Sequence, residues 1–130
     1  MSFLPIYRTL KADVELAKLI DVETKLFEDM APFKLRSDGT VVVTVSPPYM
    51  VWTTISGQAN NHLDCPANFD DTQYQLMVYA TNARDAYAIR DAARVVLETK
   101  SWILNPSINH FETETKLYAR GFDANWILER

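Results

Sequence analysis

The residues with the most chemical potential in this chain are two histidines, His62 and His110, with the acids Asp64, Asp70, Asp71, Glu112 and Glu114 near them in sequence. A histidine beside a carboxylate is the raw material of general acid–base chemistry or a hydrolytic triad. The spacing does not assemble one locally. There is no C-x-x-C or H-E-x-x-H for zinc and no G-x-S-x-G nucleophile elbow. A triad is a matter of geometry rather than of order, so composition alone neither confirms nor excludes one. Asp70 and Asp71 would divide acid and base work only if burial split their pKa values; beside a strand they read as a solvated pair. Glu112 and Glu114 share one side of an expected strand, where they meet solvent or the basic residues of a partner.

Phosphate chemistry finds no footing either. Neither a Walker pattern nor G-x-G-x-x-G is present, and the three glycines are widely separated. Arg84, Arg90 and Arg94 follow one another along an expected helix, but Asp85, Asp91 and Glu98 offset them. That mixture reads as a solvated or inter-subunit salt-bridge surface rather than a nucleic-acid stripe. Trp52, Tyr74, Tyr79, Tyr87, Phe111, Tyr118 and Trp126 read first as core or interface residues, since an RNA-stacking platform needs a basic surround. The single cysteine, Cys65, forbids an intramolecular disulfide and reads as an incidental reduced thiol. The expectation is no catalytic residue, no cofactor and no metal.

Composition bounds the chain to one globular core. At 130 residues the chain suits one core, and 48% hydrophobic with 23% charged residues is globular composition. A single domain over 1–130 is expected. The formal charge of -4 argues against gripping nucleic-acid backbone, though not against DNA passing nearby. No apolar run approaches the about 18 residues of a membrane span, and MSFLPIYRTLKADVE lacks the plan of a signal peptide. A soluble protein made in the cytoplasm is the expectation.

The elements that must position these residues follow from periodicity. Pro5 suits a first helical turn, and Ile6, Leu10, Val14 and Ala17 form one apolar face; alternatively Asp13 caps a second short helix. Beyond Asp21 the helical pattern weakens, and Leu26–Phe27 begins a short strand. Phe33 to Arg36 pairs with Thr40 to Val45 across the turn Ser37-Asp38-Gly39, and Pro47–Pro48 ends the run. Tyr49 to Ser56 is extended with apolar residues on both sides, covered by helix and by another subunit, or wholly within the monomer. Gly57 to Asp71 reads as a long polar loop, a contact arm or a mobile connector, with Phe69 anchoring one end. Thr72 to Ala80 alternates as a strand. Asn82 caps a helix whose buried stripe is Ala86, Ile89, Ala93, Val96 and Leu97. His110 to Ala119 and Phe122 to Leu128 form a closing hairpin, its turn centred on Arg120 and Gly121. The resulting fold class is α+β: a single mixed or mainly antiparallel sheet packed by an N-terminal helical segment and one longer helix, with a C-terminal hairpin.

With these segments laid out, the chain resembles the small tail-completion proteins of long-tailed phages, the DUF3168-type tail-to-head joining or tail terminator family. IYRTLKADVELAKLI, PYMVWTTISGQ, TQYQLMVYATNARDAYAIRDAARVVLE and TKLYARGFDANWIL carry the resemblance in matching order over most of the chain. The segment PFKLRSDGTVVVTVSPP is longer than the link such a protein needs, and reads as an added hairpin or a rearranged first strand pair.

The resemblance implies a virion protein that caps the head-proximal end of the tail tube, ends its polymerisation and joins the tail to the head. It implies a homo-oligomeric ring, a hexamer, contacting the tail tube protein and a head completion or connector protein, in an infectious phage or a prophage product. It implies location at the tail-to-head interface, with the host cytoplasm as the place of assembly, and no membrane. Candidate subunit or partner contacts are Phe33, Arg36, Pro48, Tyr49, Trp52, Asn60, His62, Asp64, Phe69, Arg84, Arg90 and Arg94. Two alternatives stand beside this: another neck or minor tail adaptor, and a small α+β enzyme. The enzyme requires a pocket uniting His62 or His110 with Asp64 or Glu112.

Overall fold

The computed structural model describes residues 4–59 and 69–129. Three short helices open the chain: α1 (Ile6–Lys11), α2 (Val14–Ala17) and α3 (Val22–Lys25). The strands β1 (Leu26–Glu28), β2 (Phe33–Leu35), β3 (Val41–Val43), β4 (Tyr49–Ala59) and β5 (Phe69–Ala80) follow. Helix α4 (Ala83–Leu97) then leads into β6 (Trp102–Glu112) and β7 (Leu117–Glu129). Five strands form one mixed sheet in the order β1-β4-β5-β7-β6, with β1 parallel to β4 and the other pairs antiparallel. β2 and β3 form a separate antiparallel hairpin.

The N-terminal apolar face holds only for its first half. The Asp13 carboxylate accepts the Leu16 N–H at 2.8 Å and starts α2 as a separate helix. The chain therefore turns, and Leu16 and Ile20 are buried with Ile6 and Leu10, while Val14 is 69% exposed. Asp21 caps α3 in the same manner, through the Glu23 N–H and the Thr24 hydroxyl. Each cap satisfies an N–H that a helix this short leaves without an intrahelical partner. The Lys11–Glu23 ion pair at 3.1 Å joins α1 to α3.

Helix α4 follows its sequence pattern. Asn82 accepts the Asp85 N–H at 2.8 Å, and Ala86, Ile89, Ala93 and Leu97 are buried against the sheet. The core collects these residues with Met50 and Trp52 of β4, Tyr74, Leu76 and Val78 of β5, and Phe122, Ala124 and Trp126 of β7. Burial of each large aliphatic or aromatic side chain contributes about 1.5–3 kcal/mol. A second, smaller cluster lies on the opposite sheet face at one end. There Ala31, Tyr49 and Leu117 are packed with Phe27, Val43, Val45, Val51 and Tyr79. Both sides of β4 are thus apolar because the chain's own hairpin segment covers the second side near Tyr49. Farther along, Ile55 is 48% exposed.

Two expectations are corrected. Gly57 to Ala59 and Phe69 to Asp71 are not loop: β4 and β5 continue through them in paired register. The polar interruption is correspondingly shorter, and Asn60, His62, Asp64 and Asn68 lie outside the described residues. The closing turn is not at Arg120–Gly121 either. It falls at 113–116, where Lys116 adopts φ 58° and its N–H reaches the Glu112 carbonyl at 2.7 Å. Arg120 and Gly121 lie inside β7. Gly121 is required there by close approach, since a Cβ would collide with the Leu76 carbonyl oxygen and the Met77 sulfur. Pro106 sits within β6, which is an edge strand broken by two register shifts. An edge strand tolerates a residue without an N–H, and the bulges absorb the lost pairing.

Candidate functional site

His110 and Glu112, two residues apart on β6, share an open recess of about 230 Å³ with Thr113, Glu114 and Thr115. Strand alternation alone places them on one side. The Glu112 carboxylate accepts the Thr115 hydroxyl at 3.2 Å within the turn. No hydrogen bond or ion pair joins His110 to Glu112, and His110 is exposed. The arrangement is a solvated strand end. No group of three or more metal-ligating side chains occurs among the described residues, and no helix there is long and apolar enough to cross a membrane.

The tyrosines near this end are structural. Tyr49 and Tyr79 stack at 5.0 Å between ring centroids, and burial, reinforced by the Glu112 carboxylate, pushes the Tyr49 hydroxyl up to about 12. Tyr79 is raised by the same causes. Burial also raises Tyr74 to about 12. These hydroxyls hold their protons through the neutral range.

The candidate contact residues divide by exposure. Tyr49 and Trp52 are buried in the two clusters, at 4% and 6% exposure, so their side chains hold β4 in place. Pro48 is half-buried and immediately precedes that strand, joined to Pro47 by a cis peptide bond. Phe69 opens β5, its side chain lying outside the described residues. Arg90 and Arg94 are engaged within the chain. Arg90 pairs with Asp91 at 2.9 Å, lies 4.8 Å from the Tyr87 ring centroid and reaches Ser107; Arg94 pairs with Glu98. The Arg120 guanidinium takes the other ring positions, 4.9 Å from Tyr87 and 5.5 Å from Tyr118, while donating to the His110 and Ala119 carbonyls. A ladder of arginines and tyrosines thus fastens α4 to the β6–β7 edge, which the alternating charges along the helix did not disclose. Arg84 is exposed on α4.

Phe33 and Arg36 remain as exposed candidates on a coherent surface. β2 and β3 pair Phe33 with Val43 and Leu35 with Val41, which places those four side chains on one hairpin face. Only Val43 of the four packs into the second cluster. Phe33, Leu35 and Val41 are 45%, 66% and 50% exposed. Beside them a groove of about 320 Å³ runs between β3 and the β6–β7 turn, apolar along Val41, Val43, Val45 and Leu117. Arg36 and Glu114 also line it. A second groove of about 480 Å³, between α1 and β1, is lined by Leu4, Tyr7, Arg8, Leu26, Glu28 and Trp52. The sequence reading also missed Trp102 and Leu104, 60% and 55% exposed. They were legible only as apolar residues in a connection, because nothing in their spacing marked a strand.

A mixed sheet with helices on one face and a hairpin on the other, with exposed apolar patches among the described residues, defines a protein of the α+β class. The match of residues 5–120 to the family model "Tail completion protein gp17" gives that class its identity: the chain belongs to this family and is a phage tail structural protein. No curated protein matched the sequence. Among solved structures, a chain from the virion of a native gene transfer agent particle superposes with a TM-score of 0.61 at 15% identity, covering 96% of this chain and 92% of its own. At that identity the likeness establishes the fold.

Proposed function

We propose that this protein caps the head-proximal end of the phage tail tube, ends tube polymerisation and forms part of the head-to-tail interface as a ring of identical subunits. The observation that carries this reading is the tail-completion family match across residues 5–120. The structural neighbour belongs to a gene transfer agent virion, and it favours a role inside an assembled particle. A ring terminator needs lateral contacts and two different axial surfaces rather than a chemical step. The exposed apolar side chains of the hairpin and of β6 are material for such contacts.

The test is to add purified protein to polymerising tail tubes, image the products and measure native mass in parallel. Rings at one tube end and a defined tube length are expected. A protein that leaves tubes growing and remains monomeric on them would refute the reading. Retention on isolated head connectors without affinity for tubes would assign it instead to a connector-side adaptor.

A further inference from the structure

We propose that the apolar face of the β2–β3 hairpin docks on a second copy of this chain, against the end of the sheet face around Trp102 and Asp123. The proposal deepens the ring reading above and rests on it. A two-stranded hairpin is not stable in water by itself and requires packing on an apolar surface. Here only the Val43 end of that apolar face has such support, while Phe33, Leu35 and Val41 on the same face are exposed. The hairpin segment covers one end of the sheet's second face, over Tyr49, Tyr79 and Leu117. The other end of that same face carries Trp102, which is 60% exposed.

Register identifies what that end presents. Trp102 pairs with Asn125, and Asp123 pairs with Gln75 and Asn105, so Trp102, Asp123 and Gln75 share a face. The Gln75 amide donates to the Asp123 carboxylate at 3.2 Å, which confirms their common side. Met77 and Ile108 lie opposite Gly121 on its two neighbouring strands and extend this surface with apolar atoms.

Charge complementarity selects the occupant. Arg36, which lines the groove beside Val41 and Val43, forms no ion pair among the described residues, and neither does Asp123 on the other end of the sheet face. Asp38, the hairpin's own acid, is taken up by Thr40, whose N–H and hydroxyl hold its carboxyl below the usual range. The hairpin thus offers apolar residues beside the Arg36 guanidinium, and the other sheet end offers Trp102 and Ile108 beside a carboxylate that accepts from Gln75 and is in no ion pair among the described residues. Trp102 and Arg36 are of the residue types enriched among contacts that dominate binding. The two patches are different surfaces at separate positions on one molecule. Their contact is therefore head-to-tail, the geometry that closes rings when the rotation permits.

The experiment compares assembly of wild type, Leu35→Asp, Trp102→Ala, Arg36→Glu, Asp123→Arg and the double variant R36E/D123R, alone and with tail tubes. The readouts are native mass and imaging of tube ends, with circular dichroism to verify folding. Each single variant is expected to weaken self-association at least tenfold, with R36E/D123R recovering most of it. A mixture of Leu35→Asp and Trp102→Ala copies retains one intact contact and is expected to stop at a heterodimer. Wild-type assembly by all four single variants would overturn the proposal while leaving the ring reading intact. Loss of tube-end binding with self-association unchanged would assign the hairpin to the tube subunit instead, and so overturn it. A wild type that neither self-associates nor binds tube ends would overturn the ring reading as well.

Discussion

The Tyr74 hydroxyl lies 2.8 Å from the Ser101 hydroxyl inside the core, joining the middle of β5 to the residue that leads out of α4. Ser101 gives its one hydroxyl hydrogen to the Leu97 carbonyl at 2.7 Å. Tyr74 must therefore be the donor to Ser101. The pair fixes where the helix ends above the sheet, and with it the start of β6 at Trp102.

This direction predicts unequal costs for removing either partner. Ser101→Ala leaves a buried phenol without an acceptor and should cost about 1–3 kcal/mol, whereas Tyr74→Phe leaves Ser101 still bonded to Leu97 and should cost about 0.5–1.5 kcal/mol. Urea denaturation of both single variants and of the double variant measures the coupling. Equal costs, or a larger cost for Tyr74→Phe, would contradict the assigned direction.

The raised tyrosines predict alkaline sensitivity. For Tyr49 and Tyr74, both near 12 in the folded protein, the native state keeps protons that the unfolded chain releases at about 10. The stability their neutral forms contribute is fully present below pH about 10 and is lost as pH rises toward 12. A series of melting temperatures between pH 9 and 12 should fall in that window. Tyr74→Phe should flatten the fall.

Gly121→Ala should be severe for a one-methyl change. The added carbon meets the backbone oxygen of Leu76 as well as the flexible Met77 side chain, so β5 and β7 must move apart. A loss near the upper end of the about 1–3 kcal/mol range for overpacking is expected by chemical denaturation. If Gly121 merely served a turn, the loss would be no larger than at an exposed loop glycine.

Along α4, Ala93→Glu should abolish the folded state, since the side chain is fully buried and a carboxylate there has no partner. Glu98→Ala removes only the partly exposed pair with Arg94 and should cost about 0.5 kcal/mol or less. Near-ultraviolet circular dichroism distinguishes the two, with native signal retained only in Glu98→Ala.

Much of the fold was legible because local rules and burial agreed. Asn82 with the stripe from Ala86 to Leu97 states both the start and the buried side of α4. The alternation of Tyr74, Leu76 and Val78 states which side of β5 is dry. Ser37-Asp38-Gly39 marks the hairpin turn, where Gly39 adopts φ 87°. The failures came where a residue type has two uses. Gly121 resembled a turn glycine and is a close-packing glycine. Proline ends most strands, yet Pro106 is tolerated at an edge. Val14 matched a helical period that Asp13 had already interrupted.

The candidate surface was less legible, because exposure is a property of the assembled sheet. Phe33 and Arg36 could be named from sequence, but so were Tyr49 and Trp52, which the structure buries. Alternation says that two sides of a strand differ, not which is covered or by what. The sequence by itself determined the α+β content, the helix α4, the hairpin turn and the tail-completion resemblance, because these rest on neighbours within a few residues. Only the tertiary structure decided strand order, the place of the closing turn and which apolar residues remain outside. Those depend on contacts between distant segments, where backbone approach and covering elements override local preference.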